Sequence, residues 1–256
     1  MTRALIVIDV QESFRADPLW EAISDPNIAD KAARLVRLAR RAGDLVVWVL
    51  HAEPGSGDVF DPALGHVRPL AGLERREDEE PLLHKTSHNA FTTTNLQQVL
   101  TERGVREVAV CGIRTEQCVE TTARLASDLG YQVTFVVDAT ATQPIPHRDA
   151  PAGQTVAELL ADPRTLPADE VVRRTEYALA GRFATIATVA ELEAAAVGET
   201  EGAAVDGLEA ATVDGLEGAA VDEMEVAAVG GLEVTVVGEP KGAAVTGLEA
   251  SADLRA

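Results

Sequence analysis

The sequence predicts a three-layer α/β/α sandwich around a mainly parallel sheet. Two observations carry this: strands and helices alternate along the first 192 residues, and the strands are near-continuous apolar runs rather than alternating ones. Parallel strands buried on both faces read that way, because helices cover each side of the sheet.

The elements follow in order. Ala4–Val10 is an apolar strand interrupted only by Asp9. From Ile28 to Ala42, Ala33, Leu35, Val36 and Leu38 sit among arginines, the pattern of an amphipathic helix. Asp44–Leu50 (DLVVWVL) is the second strand, and a helix starts near Asn95 after a loop. Arg106–Ile113 is a strand rich in β-branched residues, followed by helical spacing over Glu116–Leu129 in which Val119, Ala123, Ala126 and Leu129 share a face and Gly130 ends the run. Strands over Gln132–Ala139 and Phe183–Thr188 flank a helix over Ala168–Ala180. Between Thr140 and Ala168 lies a long segment with five prolines, read as a specificity lid or subunit contact and equally as a surface loop.

Cys118 lies where a buried strand turns into a helix. Free N–H groups and the positive end of the helix dipole would lower its pKa toward the reactive thiolate. Alone, it reads as readily as an ordinary buried cysteine. Asp9 is a carboxylate at the carboxyl end of the first strand, the edge that faces the ligand crevice in an open α/β sheet, and it is costly there unless used or paired. Alone, it could be a cap. Lys85, just before a loop, could be a solvated surface charge. Together the three supply a nucleophile, a cation to stabilise it and a carboxylate to move protons.

With those residues in view, the chain resembles the isochorismatase-like cysteine hydrolases, a family that includes nicotinamidases and other small-amide hydrolases. The match carries Asp9, Gln11 and Phe14; Lys85 with Phe91, Thr94 and Leu96; Gly112 with Cys118, Val119 and Thr122; and Asp138 with Ala139, over roughly residues 3–192. The resemblance implies a catalytic triad of Asp9, Lys85 and Cys118. It also implies a non-proline cis peptide at Ile113-Arg114, and an oxyanion hole made by the backbone N–H groups of Arg114 and Cys118. Gln11, Phe14, His51, Phe91 and His147 are the pocket candidates. The implied reaction is hydrolysis of a small amide, ureide or lactam. A vinyl-ether hydrolase of the isochorismatase type, or an idle relative acting through its partners, is the alternative.

Nicotinamidases carry an Asp-x-His metal pair and a later His where this chain reads His51-Ala52-Glu53, with His66 further on. No metal and no cofactor is therefore expected. Cys111 is read as a small core residue, since its separation from Cys118 across a strand-to-helix junction suits a disulfide poorly. A small-molecule substrate and a homo-oligomer, dimer or tetramer, are the expected partners. With no cationic leader and no long apolar run, a cytoplasmic location is expected.

From Glu193 on, valine recurs every eighth residue, at Val197, Val205, Val213, Val221, Val229, Val237 and Val245, with an acidic residue four positions before each until Lys241. An eight-residue step turns about 80° on a helix, so no apolar stripe forms. Residues 193–256 are accordingly expected to be a low-complexity, disordered tail, separate from a hydrolase domain over residues 1–192. The tail holds much of the chain's net charge of −20, which argues against nucleic acid or an anionic membrane as partner.

Overall fold

The computed structural model describes residues 2–198, and the repeats beyond Gly198 lie outside the described residues. Six parallel strands form one sheet: β1 (Thr2–Ile8), β2 (Leu45–His51), β3 (Leu82–Lys85), β4 (Val105–Ile113), β5 (Gln132–Ala141) and β6 (Thr185–Ala187), in the order β3-β2-β1-β4-β5-β6. Short α1 (Glu12–Ala16) follows β1. The longer helices are α2 (Ile28–Ala42), α3 (Leu96–Glu102), α4 (Glu120–Asp128), α5 (Val156–Ala161) and α6 (Ala168–Leu179), and residues 189–198 are also helical.

The expected three layers are present. On one face Ile28, Ala32, Leu35, Val36 and Ala39 of α2 pack on Leu5, Val7, Val46 and Trp48 of the sheet. On the other, Leu96 and Leu100 of α3, Ala123 and Ala126 of α4 and Leu179 of α6 pack on Ile6, Ile8, Val47 and Val110. Strand β1 contributes to both layers because alternate residues face opposite ways. Helix α2 falls on its expected bounds and stops at Gly43, whose φ of 72° closes the last turn.

Three elements differ from expectation. Strand β3 had no sequence signal, because LLHK is short and half-exposed at the sheet edge. Helix α5 lies inside the proline-rich segment, started by a capping box between Thr155 and Glu158. That segment is folded rather than a plain loop: an antiparallel bridge between Ile145 and Leu166 closes its base. The helix over residues 189–198 crosses the expected boundary at residue 192, and Asp138 accepts a hydrogen bond from the Val189 N–H at 2.9 Å while Arg34 grips Glu193 through two hydrogen bonds. Leu129, expected on the buried face of α4, is exposed at the helix end.

The strand order reverses between β1 and β4. In a doubly wound sheet, ligands bind in the crevice outside the carboxyl ends of the strands at that switch point. Gly112 makes the junction possible: a methyl group there would lie 1.8 Å from the Ile8 carbonyl oxygen, and its φ of 136° is one that side chains resist. No helix among the described residues is long and apolar enough to cross a membrane.

Candidate active site

Four strand ends deliver four side chains to one point. Asp9 follows β1 with a left-handed φ of 54°, its N–H bonded to the Val49 carbonyl at 2.8 Å. A non-glycine residue holds that conformation only where its surroundings enforce it. His51 ends β2, and Lys85 ends β3 as its register partner. Cys118 lies beyond β4.

The path to Cys118 differs from the simple helix start expected. The Ile113-Arg114 peptide is cis, and Thr115–Val119 forms one wide π-type turn in which the Arg114 carbonyl accepts from Gln117 and Val119 at 3.2 Å each. Thr115 donates to Thr140 at 2.9 Å and Thr142 to Glu116 at 2.6 Å, tying the turn to the end of β5. Helix α4 begins only at Glu120. Thr122 donates to the Cys118 carbonyl at 2.7 Å and accepts from the Ala90 N–H at 3.0 Å, which fixes the loop after β3 against the nucleophile's turn.

At the centre is the Lys85 ammonium. It lies 2.7 Å from Asp9 Oδ2, with both side chains fully buried, and 3.3 Å from Cys118 Sγ. The Asp9 oxygens gain an ion contact there but no well-directed hydrogen bond within the described residues. Burial raises the Asp9 pKa above the usual carboxylate value, with Lys85 opposing that rise. Burial, reinforced by the Asp9 charge, pushes the Cys118 thiol up to about 12, again against Lys85. This corrects the expectation that the helix dipole lowers the thiol toward a ready thiolate, because Cys118 is buried and desolvation outweighs the dipole. Cys111 is a buried core cysteine, its thiol also raised to about 12 by burial.

The pocket candidates separate. His51 joins the cluster. Gln11 is fully buried, accepts from the His51 N–H at 2.8 Å, and donates to the His51 carbonyl and to Ser13 at 2.9 Å each, so it straps down the end of β2 rather than facing a substrate. Phe14 is buried edge-on against Phe60, with the Arg114 guanidinium 5.8 Å from its ring centre. Phe91 stacks on Tyr131 and belongs to the same core cluster as Cys118. His147 lines a groove of about 720 Å³ with Pro18, Leu19 and Leu159, to which none of Asp9, Lys85 or Cys118 contributes.

Two polar residues escaped the sequence reading. Gln143 is 1 % exposed with neither amide atom bonded to protein among the described residues, and Glu116 Oε1 is likewise buried and unmatched. Glu116 lies within the nucleophile's turn and Gln143 directly follows Thr142, which donates to Glu116, but nothing in their sequence setting marks them. Among the described residues no cluster of three or more His, Cys, Asp and Glu could hold a metal ion.

The model of the isochorismatase domain matches residues 3–151. The chain belongs to the isochorismatase family and is a hydrolase of that family. It is 34% identical over 197 residues to a streptothricin hydrolase of Streptomyces noursei, covering 76% of this chain and 71% of that one. It is 33% identical over 155 residues to nicotinamidase 3 of Arabidopsis thaliana, covering 54% and 73%. Among solved structures, an isochorismatase from Pseudomonas putida KT2440 superposes with a TM-score of 0.63 at 32% identity, covering 73% of this chain and 88% of that one.

Proposed function

We propose that the protein is a cysteine hydrolase that cleaves a C–N bond of a small amide, ureide or lactam through a thioester on Cys118. The observation that carries this reading is the buried Lys85 ammonium bridging the Asp9 carboxylate and the Cys118 thiol. Asp9 takes the thiol proton as Sγ attacks the carbonyl carbon, so a neutral resting thiol suffices. The oxyanion is held by the backbone N–H groups of Arg114 and Cys118. As the C–N bond breaks, Asp9 returns the proton to the departing nitrogen. Water, deprotonated by Asp9, then attacks the thioester and releases the acid and the free thiol. Lys85 keeps positive charge beside whichever of Asp9 and Cys118 is anionic, so the two titrate as a coupled unit.

The reading uses no metal, because His51, at the position of a metal ligand in nicotinamidases, has Nδ1 engaged by Lys85 and Nε2 by Glu53. The similarity to a streptothricin hydrolase makes streptothricin the first substrate to try. A homo-oligomer, dimer or tetramer, is part of the proposal, and sedimentation measures it.

A second reading draws on the raised Asp9 pKa. The burial that raises it favours the protonated carboxyl, which suits Asp9 to donate a proton to a vinyl ether without any need for the thiol. The variant Cys118→Ala separates the two. Assayed with streptothricin and nicotinamide, it is expected to lose all C–N hydrolysis while keeping the wild-type fold. Unchanged amide turnover would reject covalent catalysis by Cys118.

A further inference from the structure

An ammonium carries three N–H donors and no acceptor. Lys85, fully buried, has three partners: Asp9 Oδ2 at 2.7 Å, Cys118 Sγ at 3.3 Å and His51 Nδ1 at 3.3 Å. Two of these are hydrogen-bond partners, Cys118 and His51, and the third is the Asp9 ion contact, so His51 completes the ring of protein groups around the ammonium. Because the ammonium cannot accept, the lone pair on Nδ1 faces Lys85 and the ring proton resides on Nε2. There it donates to Glu53 Oε1 at 2.9 Å. Glu53 thus selects the tautomer that Lys85 requires.

The backbone fixes the same arrangement. His51 and Lys85 are register partners on adjacent parallel strands, so their side chains leave the sheet edge together. Gln11 clamps both the N–H and the carbonyl of His51, and Phe60 packs edge-on against its ring at 5.6 Å between centres. Lys85 is enclosed while Glu53 is half-exposed beside an open depression of about 370 Å³ bordered by Ala52, Gly55 and Thr86. The line Glu53–His51–Lys85 therefore runs from the surface to the reacting sulfur.

From this geometry we infer that His51, oriented by Glu53, is a positioning residue that holds the Lys85 ammonium between Asp9 and Cys118, rather than a residue that binds substrate. The inference rests on the reading of Cys118 as nucleophile and goes beyond it by assigning the group that keeps the cation in register with the sulfur. Without an acceptor at Nδ1, one Lys85 donor is left unmatched in a buried site and the ammonium turns away from the sulfur to find a partner. The emerging thiolate then loses its nearest positive charge.

The test follows alkylation of Cys118 by iodoacetamide in the full chain, in which the Sγ–carbon bond forms, iodide leaves and the thiol proton goes to solvent. Mass spectrometry of the Cys118 peptide reads the rate across pH, and circular dichroism confirms folding. His51→Leu is expected to slow alkylation about tenfold at fixed pH and to move the apparent thiol pKa up by about one unit. His51→Asn, whose amide oxygen can occupy the Nδ1 position, is expected to recover most of that rate. Glu53→Ala, a surface change that leaves the core intact, is expected to give an intermediate loss. With an amide that the wild type hydrolyses, His51→Leu should lower kcat and leave KM near its original value.

Unchanged or faster alkylation in His51→Leu, with Lys85→Met slowed, would overturn the inference alone. The same holds for a rise in KM with kcat unchanged, the signature of a substrate contact. No slowing in Lys85→Met either would instead remove the reading of the triad on which the inference stands.

Discussion

Lys85 and Asp9 form an ion pair of 2.7 Å from which water is excluded on both sides. Burying each ion costs several kcal/mol, so the pair is a poor way to stabilise a fold and persists where its charges are used. Removing one partner leaves the other buried and uncompensated. Lys85→Met and Asp9→Asn should each lower stability, by about 3 kcal/mol at neutral pH for the lysine change. The double variant should recover much of that loss in urea melts while remaining inactive. Recovery of activity with stability would show that the pair serves only the fold.

The pH dependence follows from the raised Asp9 pKa. Asp9 must be ionised to take the thiol proton, so kcat/KM should rise with pH through a limb lying above the ordinary carboxylate value of 3.8. The sign for stability is opposite. A group that holds its proton more tightly when folded contributes stability below its unfolded pKa and loses it as pH climbs through the folded one. Activity should therefore be gained across the window in which that contribution is lost, and paired activity and melting profiles check both directions.

Both thiols are raised from 9.0 to about 12. By the same sign, each contributes stability that is full below pH 9 and falls away as pH rises toward 12. Cys118→Ser, whose hydroxyl does not titrate in that range, should show a shallower alkaline loss than the wild type in thermal melts taken from pH 8 to 11. Parallel profiles would contradict the burial of the Cys118 thiol.

Gly112→Ala places a methyl carbon 1.8 Å from the Ile8 carbonyl oxygen. Backbone cannot yield there without parting β1 from β4, the two strands that flank the site. The change should cost more than about 4 kcal/mol, and expression with circular dichroism should show little folded protein.

Arg34 donates two hydrogen bonds to Glu193, and residues 189–198 form one helix. A chain ending at Gly198 is expected to fold and turn over like the full chain. One ending at Leu192 cuts that helix and should melt several degrees lower. Loss of activity on truncation at Gly198 would give the acidic repeats a role in the site.

The legibility of the sequence varied with how local each feature is. Helix α2 could be read to its last residue because its apolar stripe and Gly43 are both local signals. Asp9 and Cys118 could be picked out because one interrupts and the other follows an apolar strand, and Lys85 because it stands in the order of a known family. Strand β3 could not, since four half-exposed residues owe their conformation to pairing with β2. The wide turn at Thr115–Val119 has no sequence signature, and it rather than a helix terminus presents Cys118. The thiol's raised pKa was missed for the same reason: a dipole can be inferred from sequence, but desolvation depends on what the fold lays over the sulfur. The contact of His51 with Lys85 could not be read either, because it depends on the β2–β3 register.

The central claim is a covalent bond to Cys118. Rapid acid quenching of the protein during turnover of streptothricin, followed by mass spectrometry of its peptides, measures that bond directly. A lactam that opens on the sulfur keeps its amine, so the Cys118 peptide should gain the full mass of the substrate, and no gain should occur in Cys118→Ala. Hydrolysis that proceeds with no adduct on Cys118, and continues in Cys118→Ala, would contradict the account.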